Sequence, residues 1–250
     1  CGGASVSPET LRFFDIIGLP VGQGYGLTES AGLASAQLST RPMVIGSCGP
    51  ALRGTEWRLA DDGEILLRSP GVFAGYLNDE KGSREVLLPD GWLATGDIGE
   101  ARGDEIAIVD RKKAIIITSG GKNIAPSEIE NALKDSPFVR EAIVVGEGRK
   151  FLGGLIQIDF DNVGRWAGER DLPYTTYRSL TLLTEVRNLV QEIIDEVNGR
   201  FARVENIRKF VILEKELDHD DGELTATQKV RRGLINQKFA RELQQIYGDG

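Results

Sequence analysis

Residues 22–30 read GQGYGLTES, three glycines around Tyr25 followed by Thr28 and Glu29. Glycines at this density let a backbone turn sharply or come close to a ligand. Flanked in this way, a planar ring can lie against a flat partner, a threonine hydroxyl can donate to an anion and a carboxylate can hold a hard cation. A glycine-rich β-turn with an exposed Thr-Glu pair accounts for the same residues. Residues 91–99, GWLATGDIG, set Asp97 after Thr-Gly at a strand end. An aspartate there can accept from two neighbouring hydroxyls such as those of a ribose, although turns favour Asp and Gly in any case. Residues 109–130, VDRKKAIIITSGGKNIAPSEIE, hold a basic triplet at Arg111, Lys112 and Lys113 and a turn at Ser119, Gly120, Gly121 and Lys122. GGKN is not a phosphate loop: position 116 is Ile rather than Gly, and Asn123 replaces the required Ser or Thr. Residues 221–232, DGELTATQKVRR, place Lys229 where a polar segment becomes an apolar-patterned helix, so its ammonium can reach away from its own domain or simply lie on the surface.

The elements that must position these groups follow from periodicity. PETLRFFDII (8–17) reads as a short helix, and LPVGQGYG as a strand entering the first turn. From 46 to 110, short β-type runs (TEWRLA, GEILLRS, GWLATGD, EIAIVD) separated by DDG, PDG and RGD predict a small antiparallel barrel or sandwich. Beyond the basic triplet the pattern mixes. AIIITS predicts a buried strand, and PSEIENALKDS a helix with Ser127 and Glu130 forming a capping box. EAIVVGE, GGLIQIDF and RKFVIL predict strands. Val186, Leu189, Val190, Ile193, Ile194 and Val197 recur at helical spacing. A last helix, from about Lys229, carries Leu234, Ile235, Phe239, Leu243 and Ile246. The reading is mixed α/β and α+β, with a boundary near Lys112: a β-rich part, 1–112, then an α+β part, 113–250.

Composition limits the chemistry. The 250 residues carry a net charge of −8, which argues against a general nucleic-acid grip. The two cysteines, Cys1 and Cys48, have no metal-ligand spacing and are expected as free thiols of a reducing, cytoplasmic interior. One histidine, His219 in DHDDGE, excludes a multi-histidine metal site.

In this order, GGA (2–4), GYGLTE (24–29), TGD (95–97), DRKK (110–113), SGGKNIAPSEIE (119–130) and ELTATQKVRR (223–232) resemble the AMP-forming adenylating enzymes, the superfamily of acyl-CoA synthetases, luciferases and peptide-synthetase adenylation domains. GVFAGYLND, DGWLATGDIG and GELTATQKVRR look most like the long-chain fatty acid–CoA ligases, as does the segment from about 160 to 205. The resemblance implies an ATP- and Mg²⁺-dependent ligase that adenylates a fatty acid and passes it to CoA. Gly2, Gly3 and Ala4 would line the adenine and acyl pocket, with Gln23, Gly24 and Gly26 beside them. Tyr25 would stack on adenine, Thr28 contact the α-phosphate and Glu29 hold Mg²⁺. Asp97 would grip the ribose with help from Arg111. Lys229 would serve adenylation, touching the nucleotide from the side opposite Asp97. Lys113 would be the hinge about which a small mobile lid domain rotates, so that Ser119, Gly120, Gly121 and Lys122 meet CoA. Ala114 departs from the acidic residue often found beside the hinge. The family's Ser/Thr/Gly-rich loop for the outer phosphates is absent, so the chain reads as the C-terminal part of a longer ligase that would hardly adenylate alone. The alternatives are transfer to a carrier protein, disfavoured because no insertion separates Arg111 from Ser127, and a catalytically silent scaffold. Peripheral membrane contact and oligomeric state stay open.

Overall fold

The computed structural model describes residues 1–3, 6–38, 42–225 and 230–248. Two compact units, Cys1–Lys113 and Ala114–Gly250, divide the chain.

The first unit begins with α1 (Pro8–Ile16), capped by the Ser7 hydroxyl accepting from the Thr10 N–H, with Pro8 in the first turn where a missing N–H costs nothing. A tight hairpin follows, β1 (Gly24–Leu27) against β2 (Gly32–Ala36), with a bulge between Tyr25 and Gly26. β3 (Glu56–Leu59), β4 (Glu64–Arg68), β5 (Leu93–Arg102) and β6 (Glu105–Arg111) form an antiparallel meander, interrupted after β4 by the short helix α2 (Glu80–Val86). Bridges from Ser35 to Ala51 and from Pro50 to Glu105 carry the pairing from β2 across residues 50–51 to β6, so the sheet curls around one core. That core contains Tyr25, Ala34, Cys48, Ile65, Leu67, Leu93 and Ile106. Neither cysteine is in a disulfide.

The second unit begins with β7 (Ile116–Ile117) paired to β8 (Asn123–Ile124), then α3 (Pro126–Lys134), β9 (Val139–Val145) and β10 (Leu152–Ile158). Helices α4 (Phe160–Gly168), α5 (Tyr177–Thr181) and α6 (Thr184–Asn198) lead to β11 (Ile207–Ile212), and α7 (Arg232–Lys238) and α8 (Ala240–Tyr247) close the unit. β10 is the central strand, antiparallel to β9 and parallel to β11, and all seven of its residues are buried. β9 shows why. Ala142 and Val144 join the core beneath α3, α4 and α6, while Ile143 and Val145 join the cluster beneath α7 and α8. Helices on both faces leave no polar side for alternation to mark, so a continuous apolar run results. In α6 the buried positions Val186, Val190, Ile194 and Val197 form the predicted stripe.

Three local expectations are corrected. The helix α3 is capped at Ala125 with Pro126 in its first turn, so Ser127 lies inside the helix and no capping box forms. Glu130 instead turns inward. The run AIIITS is extended only at Ile116–Ile117, and Ile117 is 49% exposed, because the next five residues, Thr118–Lys122, make the turn of a short hairpin. The last helix is broken at Phe239 (φ −105°, ψ 32°), which tucks that ring into the core between α7 and α8.

Candidate functional site

The hairpin β1–β2 explains its own glycines. A Cβ on Gly26 would stand 1.8 Å from the Gly32 carbonyl oxygen, so any other residue would force the strands apart. Between the strands, Thr28–Ser30 forms a single 3₁₀ turn. The Ser30 hydroxyl accepts from the Leu27 N–H and lies within bonding reach of the Leu27 and Gly32 carbonyls, while Ala31 takes a left-handed φ of 57°. This polar knot presents Thr28 to solvent and leaves Glu29 half-buried. Gly2, Gly3, Gly24, Gly26, Leu27, Thr28, Ala31, Gly32 and Leu33 line an open groove of about 570 Å³. The Gly24 N–H donates to the Cys1 carbonyl at 2.8 Å, holding the start of the chain beside β1. Gln23 is buried, its carbonyl accepting from the Gln37 N–H.

Tyr25 does not offer its ring whole. It is 8% exposed and packs among the core residues, because alternation along β1 turns it away from the faces of Gly24 and Gly26. Its hydroxyl donates to Asp97 Oδ2 at 2.7 Å. The expectation of a ring laid open against a base is corrected to this: the structure gives the tyrosine a buried hydrogen bond to the carboxylate.

Asp97 ends up almost enclosed on β5, its side chain 7% exposed, with Arg111 Nε on β6 at 2.8 Å from Oδ1. Register places the two opposite each other. The Asp97 N–H donates to the Thr95 hydroxyl, which itself donates to the Ile65 carbonyl, and Gly96 takes φ 73° between them. Burial holds the Asp97 carboxyl above its ordinary range, opposed by the Tyr25 hydroxyl and the Arg111 guanidinium. Burial likewise pushes the Tyr25 hydroxyl up, with the Asp97 charge adding to it. An ionised carboxylate offers about four acceptor sites. Tyr25 and Arg111 fill one each, and the remaining capacity suits a pair of hydroxyls.

Sequence reasoning passed over the residues that brace this centre. Glu64 accepts from the Gly96 N–H through Oε1 at 2.8 Å and from Lys112 Nζ through Oε2 at 2.7 Å, and Asp62 meets the same ammonium at 2.5 Å. These two carboxylates raise the Lys112 ammonium, and Lys112 in turn lowers the Asp62 carboxyl. Tyr76, from the loop after β4, donates to Glu29 Oε1 at 2.7 Å, a bond that raises the tyrosine hydroxyl. No local pattern links residues 47 positions apart. The one sequence signal was the polar and aromatic content of GVFAGYLND.

Ser119, Gly120, Gly121 and Lys122 form the exposed tip between β7 and β8. The Thr118 N–H donates to the Lys122 carbonyl at 3.0 Å, and Gly121 takes φ 71°. Lys113 is exposed, within the 3₁₀ turn Lys112–Ala114 that ends the first unit and begins the second. In the second unit Glu130, raised by burial against the opposing charge of Arg232, accepts from the Val144 N–H at 2.7 Å and from Arg232 Nη2 at 2.5 Å through each oxygen. Ala4 and Lys229 lie outside the described residues. Among the described residues, no three His, Cys, Asp or Glu side chains gather as a metal site, and no helix is long and apolar enough to cross a membrane.

Residues 113–250 match the family model described as AMP-binding enzyme C-terminal domain, and residues 1–77 that of AMP-binding enzyme. The chain belongs to the AMP-binding, AMP-forming enzyme family. Among family members, the long-chain-fatty-acid–CoA ligase FadD15 of Mycobacterium bovis is 38% identical over 251 residues, covering 98% of this chain and 41% of its own length. Two solved folds of the family are similar. The adenylation domain of a carboxylate reductase from Mycobacterium chelonae has a TM-score of 0.81 at 24% identity, over 99% of this chain and 38% of its own. The o-succinylbenzoate CoA synthetase of Bacillus subtilis, in complex with its acyl-adenylate, has a TM-score of 0.72 at 25% identity, over 94% of this chain and 44% of its own. The chain therefore spans well under half the length of these family members.

Proposed function

We propose that the protein is a long-chain fatty acid–CoA ligase, joining ATP, a fatty acid and CoA to give acyl-CoA, AMP and pyrophosphate through an acyl-adenylate. The observation that carries this reading is Asp97, a nearly enclosed carboxylate held by a buried tyrosine and a half-free arginine with acceptor capacity to spare. The likeness over almost the whole chain to a relative named as such a ligase supports the choice of acid and thiol. In this reading Asp97 takes both ribose hydroxyls, Arg111 steadies it from the solvent side, and the groove over Gly3, Gly24 and Gly26 receives the base and the acyl carbon. By the family resemblance Ala4 and Gln23 are assigned to the same nucleotide. Thr28 donates to an α-phosphate oxygen.

Attack of a carboxylate on a phosphate brings two anions together, so positive charge and dryness matter more than an acid or base. Lys229 supplies one charge at the reacting oxygens. Glu29 fits Mg²⁺ by its donor chemistry. One half-buried carboxylate that belongs to no cluster of three or more such groups among the described residues suits an ion that keeps its waters and leans on substrate phosphates. Bound there, Mg²⁺ neutralises phosphate charge. The B. subtilis synthetase, 26% identical, is also known in complex with ATP and magnesium ion, which supports the same ligands here. Lys113 serves as hinge, consistent with its place at the division between units and with Lys112 being clamped by Asp62 and Glu64. Ser119, Gly120, Gly121 and Lys122 receive CoA.

The test is pyrophosphate exchange by the whole protein across a panel of fatty acids, with and without CoA. Fatty-acid-dependent exchange together with CoA-dependent thioester is expected. Exchange without thioester would favour transfer to a carrier protein, and no exchange would leave a silent scaffold. Lys229→Ala should abolish exchange yet spare thioester formation from supplied acyl-adenylate.

A further inference from the structure

We propose that Tyr76 is a positioning residue for the metal-binding carboxylate: its hydroxyl fixes Glu29 in one orientation through Oε1 and leaves Oε2 to meet the cation. The inference rests on the reading of Glu29 as the Mg²⁺ carboxylate and extends it to a residue from a different loop.

Two bonds join that loop to Glu29. The Phe73 N–H donates to the Glu29 carbonyl at 2.9 Å, and the Tyr76 hydroxyl donates to Oε1 at 2.7 Å. Tyr76 is itself held from two sides. Its N–H donates to the Ser83 hydroxyl at 2.8 Å, and Ser83 donates onward to the Asp79 carbonyl at 2.7 Å. The Phe73 and Tyr76 rings meet edge to face, 4.8 Å apart at 72°. Yet the tyrosine is 40% exposed. A ring wanted only for packing would gain more by turning inward, whereas here the loop braces an exposed aromatic so that its oxygen points at one carboxylate. Oε2 has no protein donor among the hydrogen bonds of the described residues. Magnesium demands near-ideal octahedral geometry and dehydrates reluctantly, so a carboxylate fixed beforehand on one oxygen offers it the other at lower cost. Partners that orient ligating groups in this way commonly carry about 10-fold or more in metal affinity.

The experiment measures Mn²⁺ binding by electron paramagnetic resonance, in the whole protein with ATP present, alongside thermal melting. Tyr76→Phe keeps the ring against Phe73 and removes only the oxygen. Mn²⁺ binding about 10-fold weaker is expected, with a larger loss in Glu29→Gln and no further loss in the double variant. If Tyr76→Phe binds Mn²⁺ as the unaltered protein does while Glu29→Gln does not, the role given to Tyr76 is wrong and the metal reading stands. If Glu29→Gln also binds normally, the metal reading falls and Tyr76 falls with it. Should Tyr76→Phe prove less stable, additivity decides: losses that add in the double variant mean that the tyrosine acts by general packing, which overturns the proposal.

Discussion

Each unit holds a buried carboxylate paired with an arginine, Asp97 in the first and Glu130 in the second, but the two pairs are built differently. In the second unit Glu130 is surrounded: Arg232 grips both oxygens, the Val144 N–H takes one of them again, and Arg232 Nη1 closes the loop on the Val144 carbonyl at 3.2 Å. The arginine side chain is only 30% exposed. In the first unit Asp97 is just as hidden, at 7%, but Arg111 is 63% exposed and reaches it through Nε alone. A pair satisfied on every side fastens α7 to α3 and β9. A pair with a loosely held cation and unspent acceptors is suited to binding. Burial raises both carboxyls, so burial alone does not separate the structural acid from the binding one. What separates them is how completely each is satisfied and how free its cation remains.

The largest expected effect breaks the enclosed pair. Arg232→Met leaves Glu130 buried without its charge partner and should destabilise the second unit by about 3–5 kcal/mol, read as a lower urea midpoint. Arg111→Ala removes the corresponding cation in the first unit and should cost less than Arg232→Met, because the Arg111 guanidinium is mostly in water and water can take part of its place beside the enclosed carboxylate. Equal losses from the two variants would erase the distinction.

Next in size, Asp97→Asn should weaken nucleotide binding by about 1.5–3 kcal/mol, the worth of hydrogen bonds to a charged group, as measured by AMP titration of the whole protein. Tyr25→Phe deprives Asp97 of its buried donor and should cost about 1–3 kcal/mol of stability, measured by denaturant melts.

The smallest effect sharpens the comparison through pH. The folded Asp97 carboxyl titrates above its ordinary value of 3.8, so between the two values the folded state holds more protons than the unfolded. Stability is therefore lost as pH rises through that window, and the loss is complete above the folded value. Asp97→Asn removes this term and keeps an acceptor for Tyr25. It should gain on the unaltered chain as pH rises from below 3.8 and then hold a constant lead. A lead that shrinks with rising pH would mean that Arg111 more than offsets the burial.

Much of the fold was legible along the chain. α6 declared itself through a stripe from Val186 to Val197, and the meander through alternating runs broken by DDG, PDG and RGD. Both signals are local, arising from which face of a helix or strand must leave water. The errors were local too. Pro126 displaced the expected cap at Ser127, and Phe239 broke a helix whose apolar period continued unchanged through it. At the site, GQGYGLTES and TGD marked positions without saying which groups meet. Tyr25 looked like a face for a ligand because its glycine neighbours are open, yet the strand turns it inward to Asp97, 72 positions away.

Residue type and spacing alone marked most of the strands and the α6 stripe, which runs are apolar, and where glycines permit tight turns. They also carried the family resemblance. The partners were decided only when the strands paired: Asp97 opposite Arg111, Glu64 between Gly96 and Lys112, Tyr76 upon Glu29, Arg232 upon Glu130. The physical reason is range. Periodicity reports the solvent boundary within a few residues, whereas a hydrogen bond or ion pair needs about 3 Å between atoms, a distance that only sheet register and loop closure can set.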